Sequence, residues 1–407
     1  SNGFAKNIPP GSGIGDVPAN VLILLDKSGS MSARMTSGNG FMYPYSVTTD
    51  SSGDVYGGQY HTYGIKKLTY ATGAVDSNFG SSGIYRGSGN CRSYYPLNMK
   101  VHNGYLYAAS YYQHRVFRVN LSNGKCDWIS QRILYPRNIA ISSNNILYAT
   151  GYYGNAVVRN LSTNSNISCS WTGNLKNYTD YGSMAVDASG SNLYGFEFRY
   201  LYRFPIASNG CPNTNYSSRI YRSSISYSFG MDSHPSNDSI LYLNSYYGHK
   251  LYKVTLNASK NAFSSVSTVG RCCRGTSTAS NVRMYYPWGL SVDKTNNRVL
   301  SANYYKGSIS VFDLNLGFLK EFGGGAGTRM TGAHEAIKSI VTDSSLTAGV
   351  NFGFAYWASG SSGFRSWSGN ITTGRANPCS SQNCLKVRAH KQGASRINQI
   401  ITSVNPG

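Results

Sequence analysis

Six stretches of this chain repeat one pattern, and the repeat constrains the fold more than any other feature. They begin at Asp54, Tyr105, Ile146, Asn192, Ile240 and Arg298, and a typical copy reads Ile146-Leu-Tyr-Ala-Thr-Gly-Tyr-Tyr. The alternation has period two, the signature of a strand with one buried face, and an aromatic turn closes each copy. About ten residues upstream of each copy lies a second strand. It is often introduced by Tyr-Pro, as at Tyr43, Tyr95, Tyr135 and Tyr286. A third strand follows downstream, as in Arg115-Val-Phe-Arg-Val and Lys250-Leu-Tyr-Lys-Val. Successive copies lie about 40 to 60 residues apart, the length of a four-stranded propeller blade.

The copies resemble NHL-type repeats, which read Pro-x-Gly-(Ile/Val)-Ala-Val-Asp, then a Val-Tyr-Val-Ala strand, then Val-x-x-Phe. The stretch Tyr286-Pro-Trp-Gly-Leu-Ser-Val-Asp follows that pattern. The resemblance implies a six-bladed β-propeller over residues 36–328. In such a blade the turn before the first strand and the turn between the second and third strands share one face. The Tyr-Pro sites fall in the first turn. Tyr111, Tyr112, Tyr152, Tyr153, Tyr246, Tyr247, Tyr304 and Tyr305 fall in the second. His61, His114, Arg115, Arg137, Arg199, His249, Lys250, Arg283 and Lys306 sit among them. Tyr offers rigid contact area with a polar tip. Two readings follow: the rings line a recognition face for an anionic or carbohydrate-bearing ligand, or they cover blade edges and pack on neighbouring blades.

The flanks read differently. Residues 21–31 run as an apolar strand into Asp26-Lys-Ser28-Gly-Ser30-Met. Asp-x-Ser-x-Ser after a buried strand resembles the metal-ion-dependent adhesion site of a von Willebrand factor A domain. The oxygen donors Asp26, Ser28 and Ser30 suit Mg²⁺ or Ca²⁺. That fold continues with a helix, and helical spacing appears only after the repeats, over residues 330–341. Strands at 350–357 and 385–389 and a helix at 395–404 follow. The expected fold is therefore mainly β: a six-bladed propeller inserted into a partial α/β A domain. Residues 1–16 form an N-terminal extension; residues 17–35 and 329–407 form the split domain. The third metal residue of the family is not reached by Gly407, so the site is expected to be incomplete. The Val17-Pro-x-Asn-Val-Leu-Ile-Leu-Leu-Asp start and the Ser-Val-Asn-Pro-Gly end also resemble the N-terminal region of PilY/PilC-type tip adhesins of type IV pili. That resemblance implies a bacterial surface protein, associated with pilus or filament subunits and binding a host, surface or glycan ligand.

Charge and cysteine content narrow the function classes. There are 37 Lys and Arg against 16 Asp and Glu, a formal charge of +21. Charged residues are only 13% of the chain, against about 25% in typical domains, so chemistry needing several clustered carboxylates has few candidates. A polyanion or nucleic-acid partner is the alternative to adhesion, since basic charge with interleaved Tyr suits phosphate contact and base stacking. A metal-dependent lactonase with channel ligands at Asn98 and Asn138 is a further alternative, although the chain is expected to be non-enzymatic. The eight cysteines are Cys91, Cys126, Cys169, Cys211, Cys272, Cys273, Cys379 and Cys384. They show no paired Cys-x2-Cys zinc spacing and read as disulfides of an extracellular protein. Local spacing suggests Cys91–Cys126 and Cys379–Cys384. No apolar run is long enough for a transmembrane helix.

Overall fold

The computed structural model describes residues 19–26, 40–60, 63–152, 156–170, 182–213, 215–272, 277–323, 329–347, 350–357, 384–390 and 393–400. The chain divides into two compact units, Thr36–Ala326 and the pair Ser1–Met35 with Gly327–Gly407.

The larger unit is a six-bladed β-propeller. Each blade is a four-stranded antiparallel sheet whose strands follow in sequence order. The first strands are Pro44–Thr49, Pro96–His102, Pro136–Ile141, Ser183–Val186, Met231–Ser233 and Pro287–Asp293. Each packs against the first strand of the next blade, so together they line the central channel. The second strands are the six repeat copies, Val55–Gln59 through Arg298–Asn303. Their Tyr is core: Tyr56, Tyr107, Tyr148, Tyr194 and Tyr242 are all at most 2% exposed. A β-branched and aromatic strand suits a surface buried on both sides between blades.

The ring closes without exchanging a strand between the first and last blades. Phe41, Val47, Val55 and Leu68 of blade 1 share one apolar cluster with Leu300, Ala302, Ile309, Val311 and Phe322 of blade 6. The Phe41 amide donates to the Gly307 carbonyl at 3.2 Å, and Lys320 Nζ donates to the Tyr70 carbonyl at 2.6 Å. Gly289 permits the close approach at this seam, because a Cβ there would lie 2.5 Å from the Tyr45 carbonyl oxygen.

Across the channel, Lys100 of blade 2 is paired with Asp232 of blade 5, and both side chains are largely buried. Asp232 also accepts the Val292 amide at 2.8 Å. Burial pushes the Asp232 carboxyl up, but the charges of Lys100 and Lys294 outweigh it and hold it below the usual carboxylate range.

The smaller unit carries a three-stranded sheet. Ala19–Asp26 pairs in parallel with Val350–Trp357, from Ala19 opposite Val350 to Asp26 opposite Trp357. Cys384–His390 adds antiparallel on the other side of Val350–Trp357. Helices span Arg329–Thr342, Ser344–Thr347 and Gly393–Ile400. Ile337, Val341 and Ile397 pack on Leu25, Phe352 and Phe354 as this unit's core.

Cys91–Cys126 and Cys169–Cys211 form disulfides, and Cys272 is disulfide-bonded as well. The first of these is the pairing suggested by spacing. Cys273 and Cys379 lie outside the described residues, as does the Cys384 side chain. No helix among the described residues is long and apolar enough to cross a membrane.

Candidate functional site

One backbone device recurs in every blade whose turns are described. The turn leading into the first strand holds a Tyr with positive φ: Tyr43, Tyr95, Tyr135, Tyr227 and Tyr286 lie between 47° and 52°. Bulky residues seldom adopt this left-handed conformation. Each of these carbonyls accepts an amide from the turn after the second strand. The donors are Tyr60, Tyr111, Tyr152, Tyr246 and Tyr304, at 3.0–3.3 Å. The bond ties the two turns together and places both sets of tyrosines on one face.

The rings form a near-continuous network. From Tyr152 contacts run through Tyr135, Tyr111 and Tyr112 to Tyr95. They continue through Tyr60 and Tyr45 to Tyr304, then Tyr305, Tyr286, Tyr246 and Tyr247. Tyr227 and Phe198 end the path in blade 4. Centroid separations of 4.4–6.4 Å, mostly with tilted or edge-on planes and with Tyr45 stacked on Tyr304, are those expected of favourable ring pairs. Phe229 stacks on Trp288 at 4.2 Å, and Trp288 meets Tyr45 at 4.7 Å, filling the channel mouth on the side of blades 5, 6 and 1. A register shift after Pro44, Pro96, Pro136 and Pro287 re-aims the residues that follow each proline. Tyr112, Tyr227, Tyr247 and Phe198 remain 42–59% exposed despite these contacts.

The charged members of the predicted site behave differently. Lys306 is buried, and its Nζ donates to both Glu321 oxygens at 2.6 and 2.8 Å, to Ser277 Oγ and to the Arg283 carbonyl. It braces blade 6 and is corrected from a ligand contact to an internal ion pair. His114 Nδ1 accepts the Tyr135 amide and His249 Nδ1 accepts the Tyr286 amide, each at 3.1 Å. Both rings also sit edge-on against those tyrosines. Each histidine therefore links its own blade to the next. Burial holds both pKa values below the ordinary range, helped at His114 by the Arg132 charge. An accepting Nδ1 puts the ring proton on Nε2. Arg115 donates to the Ser130 carbonyl at 2.6 Å, and Arg137 lies over the Tyr152 and Tyr111 rings. Arg199, by contrast, is exposed beside Phe198. His61 and Tyr153 lie outside the described residues.

Glu197 ends the second strand of blade 4 on this face. The equivalent residues Gln59, Ser110 and Ser245 each accept the amide just before the turn Tyr of their own blade. Glu197 is 7% exposed, and burial pushes its carboxyl up to about 7. Two clefts open between blades here. One of about 400 Å³ is lined by Tyr63, Arg86, Gly87, Ser88, Gly89 and Arg92. The other, about 410 Å³, is lined by Phe198, Arg199, Tyr200, Tyr221 and Tyr227. Sequence reasoning missed Tyr45, Phe229 and Trp288, two residues after each turn Tyr or its equivalent, where alternation could have revealed them. It also missed Arg86 and Arg92, whose connecting loop belongs to no repeat.

The metal expectations fare unevenly. Asp26 closes the first strand of the smaller unit, while its side chain, Ser28 and Ser30 lie outside the described residues. Asn98 and Asn138 are buried, 7% and 1% exposed. Among the described residues no group of three or more His, Cys, Asp or Glu gathers to hold a metal.

No protein family matches the chain, and no curated protein does. Solved structures of similar shape include a streptogramin B lyase, at 12% identity over 71% of this chain and 85% of that one, TM-score 0.45. Hydrazine synthase of Kuenenia stuttgartiensis is similar at 12% identity over 71% and 89%, TM-score 0.46. The WD40 propeller domain of Doa1 is similar at 9% identity over 65% and 77%, TM-score 0.45. At these identities the likeness concerns the fold alone. The expectation of a non-enzymatic chain is corrected: the solved structures of similar shape include a streptogramin B lyase.

Proposed function

We propose that the protein is an extracellular recognition protein that holds its ligand on the tyrosine face of the propeller. One observation carries this reading. Tyr112, Tyr227 and Tyr247 are fixed by ring contacts yet leave half of their surface open. Rigid rings with exposed tips lose little entropy on binding. Disulfides accord with an oxidising, extracellular compartment. The pilus or filament setting comes from the sequence resemblance to tip adhesins. Reading the smaller unit as an A domain gains support from the parallel pairing of Ala19–Asp26 with Val350–Trp357 across the inserted propeller. In that reading Asp26, Ser28 and Ser30 would hold Mg²⁺ or Ca²⁺. The polyanion alternative has less support, because Lys306, His114 and His249 are engaged within the protein.

The test is binding of the protein to a glycan array and to whole cells, with and without Tyr112→Ser plus Tyr247→Ser. Loss of binding with an unchanged melting temperature is expected; unchanged binding overturns the reading.

A further inference from the structure

We propose that the cleft between blades 1 and 2 is an anion subsite that seats the carboxylate of an acidic saccharide, a uronate-type sugar. The inference rests on the tyrosine face being a recognition surface and assigns that surface a ligand class. The cleft holds about 400 Å³, within the range of small-molecule sites. Its lining has two guanidiniums, Arg86 and Arg92, and no carboxylate. Among the described residues neither arginine has an ion-pair partner, whereas Lys100, Arg118, Lys260 and Lys306 each have one.

The loop that carries the two arginines is held in place. The Ser93 amide donates to the Arg86 carbonyl at 2.8 Å, closing the loop that carries both side chains. Ser110 Oγ donates to the Arg92 carbonyl at 2.8 Å, and the Cys91–Cys126 disulfide fastens the loop to the fourth strand of blade 2. Gly87 has φ +64°, and a Cβ there would lie 2.1 Å from the Cys91 carbonyl oxygen, so the loop is packed against itself. The Arg92 guanidinium lies 4.4 Å over the Tyr94 ring. A guanidinium resting on a ring face can still offer its donor edge, which suits a bidentate carboxylate. Tyr63 contributes a ring wall, 4.7 Å from Tyr94 and 5.2 Å from Tyr95. Ser88 adds a hydroxyl. An apolar wall beside a localised cationic pair suits a sugar ring carrying one carboxylate. A nucleic acid would need cations spaced along a track, whereas Lys306, Arg115 and Arg137 on this face are engaged within the protein.

The experiment is calorimetric titration with trigalacturonate, its neutral trigalactose counterpart and a short oligo-dT. The wild-type protein is expected to bind trigalacturonate at least about tenfold more tightly than trigalactose, the worth of one charge-assisted bidentate contact. Arg86→Gln with Arg92→Gln should abolish that preference with an unchanged melting temperature. Arg92→Lys, which keeps the charge but loses the stacked fork, should lose part of it. Equal binding of the two sugars, an unaltered preference in the double variant, or Arg-dependent binding of oligo-dT alone overturns the subsite. If trigalactose binds equally and Tyr112→Ser with Tyr247→Ser removes it, the recognition face stands and the anion subsite falls. If no saccharide binds, the subsite falls, and the array and cell assays decide the face separately.

Discussion

The two ends of each blade are built from different turn chemistry. At one end, tyrosines in the left-handed conformation meet paired tyrosines from the next turn, and the rings contact one another from blade to blade. At the other end, Asp and Asn side chains fold back on their own backbone. Asp50 accepts the Ser52 and Asp54 amides, Asp187 accepts Ser191 and Asn192, and Asp313 accepts Asn315 and Gly317. These are local Asx-type turns. The difference teaches where the chain's few acids go. Many of them are spent inside turns or buried pairs, and at the tyrosine end only some of the basic residues face outward.

Predictions can break this division between a structural end and a recognition end. The largest effect belongs to neither end but to the channel between them. Lys100→Met strands the Asp232 carboxylate in a buried site and should cost about 3–5 kcal/mol in denaturant unfolding. A loss below about 1 kcal/mol would mean that the pair does not brace opposite blades. Next comes the Asp end. Asp187 is 1% exposed and pairs with Lys260 at 3.1 Å while accepting two amides. Asp187→Ala should cost about 2 kcal/mol or more and leave ligand binding at the tyrosine end unaltered.

At the tyrosine end, His114→Phe keeps a ring against Tyr135 but leaves its amide without the imidazole acceptor. A loss of about 1 kcal/mol is expected in thermal unfolding. Glu197 gives a pH test of the same end. Its folded pKa is raised, so the folded state holds a proton that the unfolded state has released. Stability should therefore fall as pH rises from about 4.5 to about 7. Glu197→Gln should flatten that part of the profile; an unchanged profile would remove Glu197 as its source. The smallest stability effect is at the exposed rings: Tyr247→Ser should change stability by less than about 0.5 kcal/mol while weakening ligand binding. A large destabilisation instead would make the ring network a structural cover.

Much of the propeller was legible in the sequence because its signals are local. Strand alternation, Tyr-Pro turns and the spacing of repeats each lie within one blade, and they placed the turn tyrosines on one face. Cys91 and Cys126 were also within reach, being 35 residues apart, one in the loop entering blade 2 and the other on the fourth strand of that blade. The strand tyrosines Tyr56, Tyr107, Tyr148, Tyr194 and Tyr242 and the turn tyrosines share one residue type, but alternation separates them into core and face. The candidate site was less legible. Lys306, His114 and His249 looked like ligand contacts because their position in the turns was right, and their partners lie on other strands or other blades.

The sequence by itself determined the number of blades, their strand order and which turns carry aromatic residues, because these follow from periodicity and turn chemistry within about 50 residues. Only the tertiary structure decided which charges remain available. Ring closure sets blade 6 beside blade 1 and blade 2 opposite blade 5, so Lys100 meets Asp232 across 132 residues, while packing within blade 6 turns Lys306 inward to Glu321. The junction of blades 1 and 2 leaves Arg86 and Arg92 lining a cleft with no acid. Pairing of charges depends on distance in space, and in a closed ring that distance is set by the circle as well as by the chain.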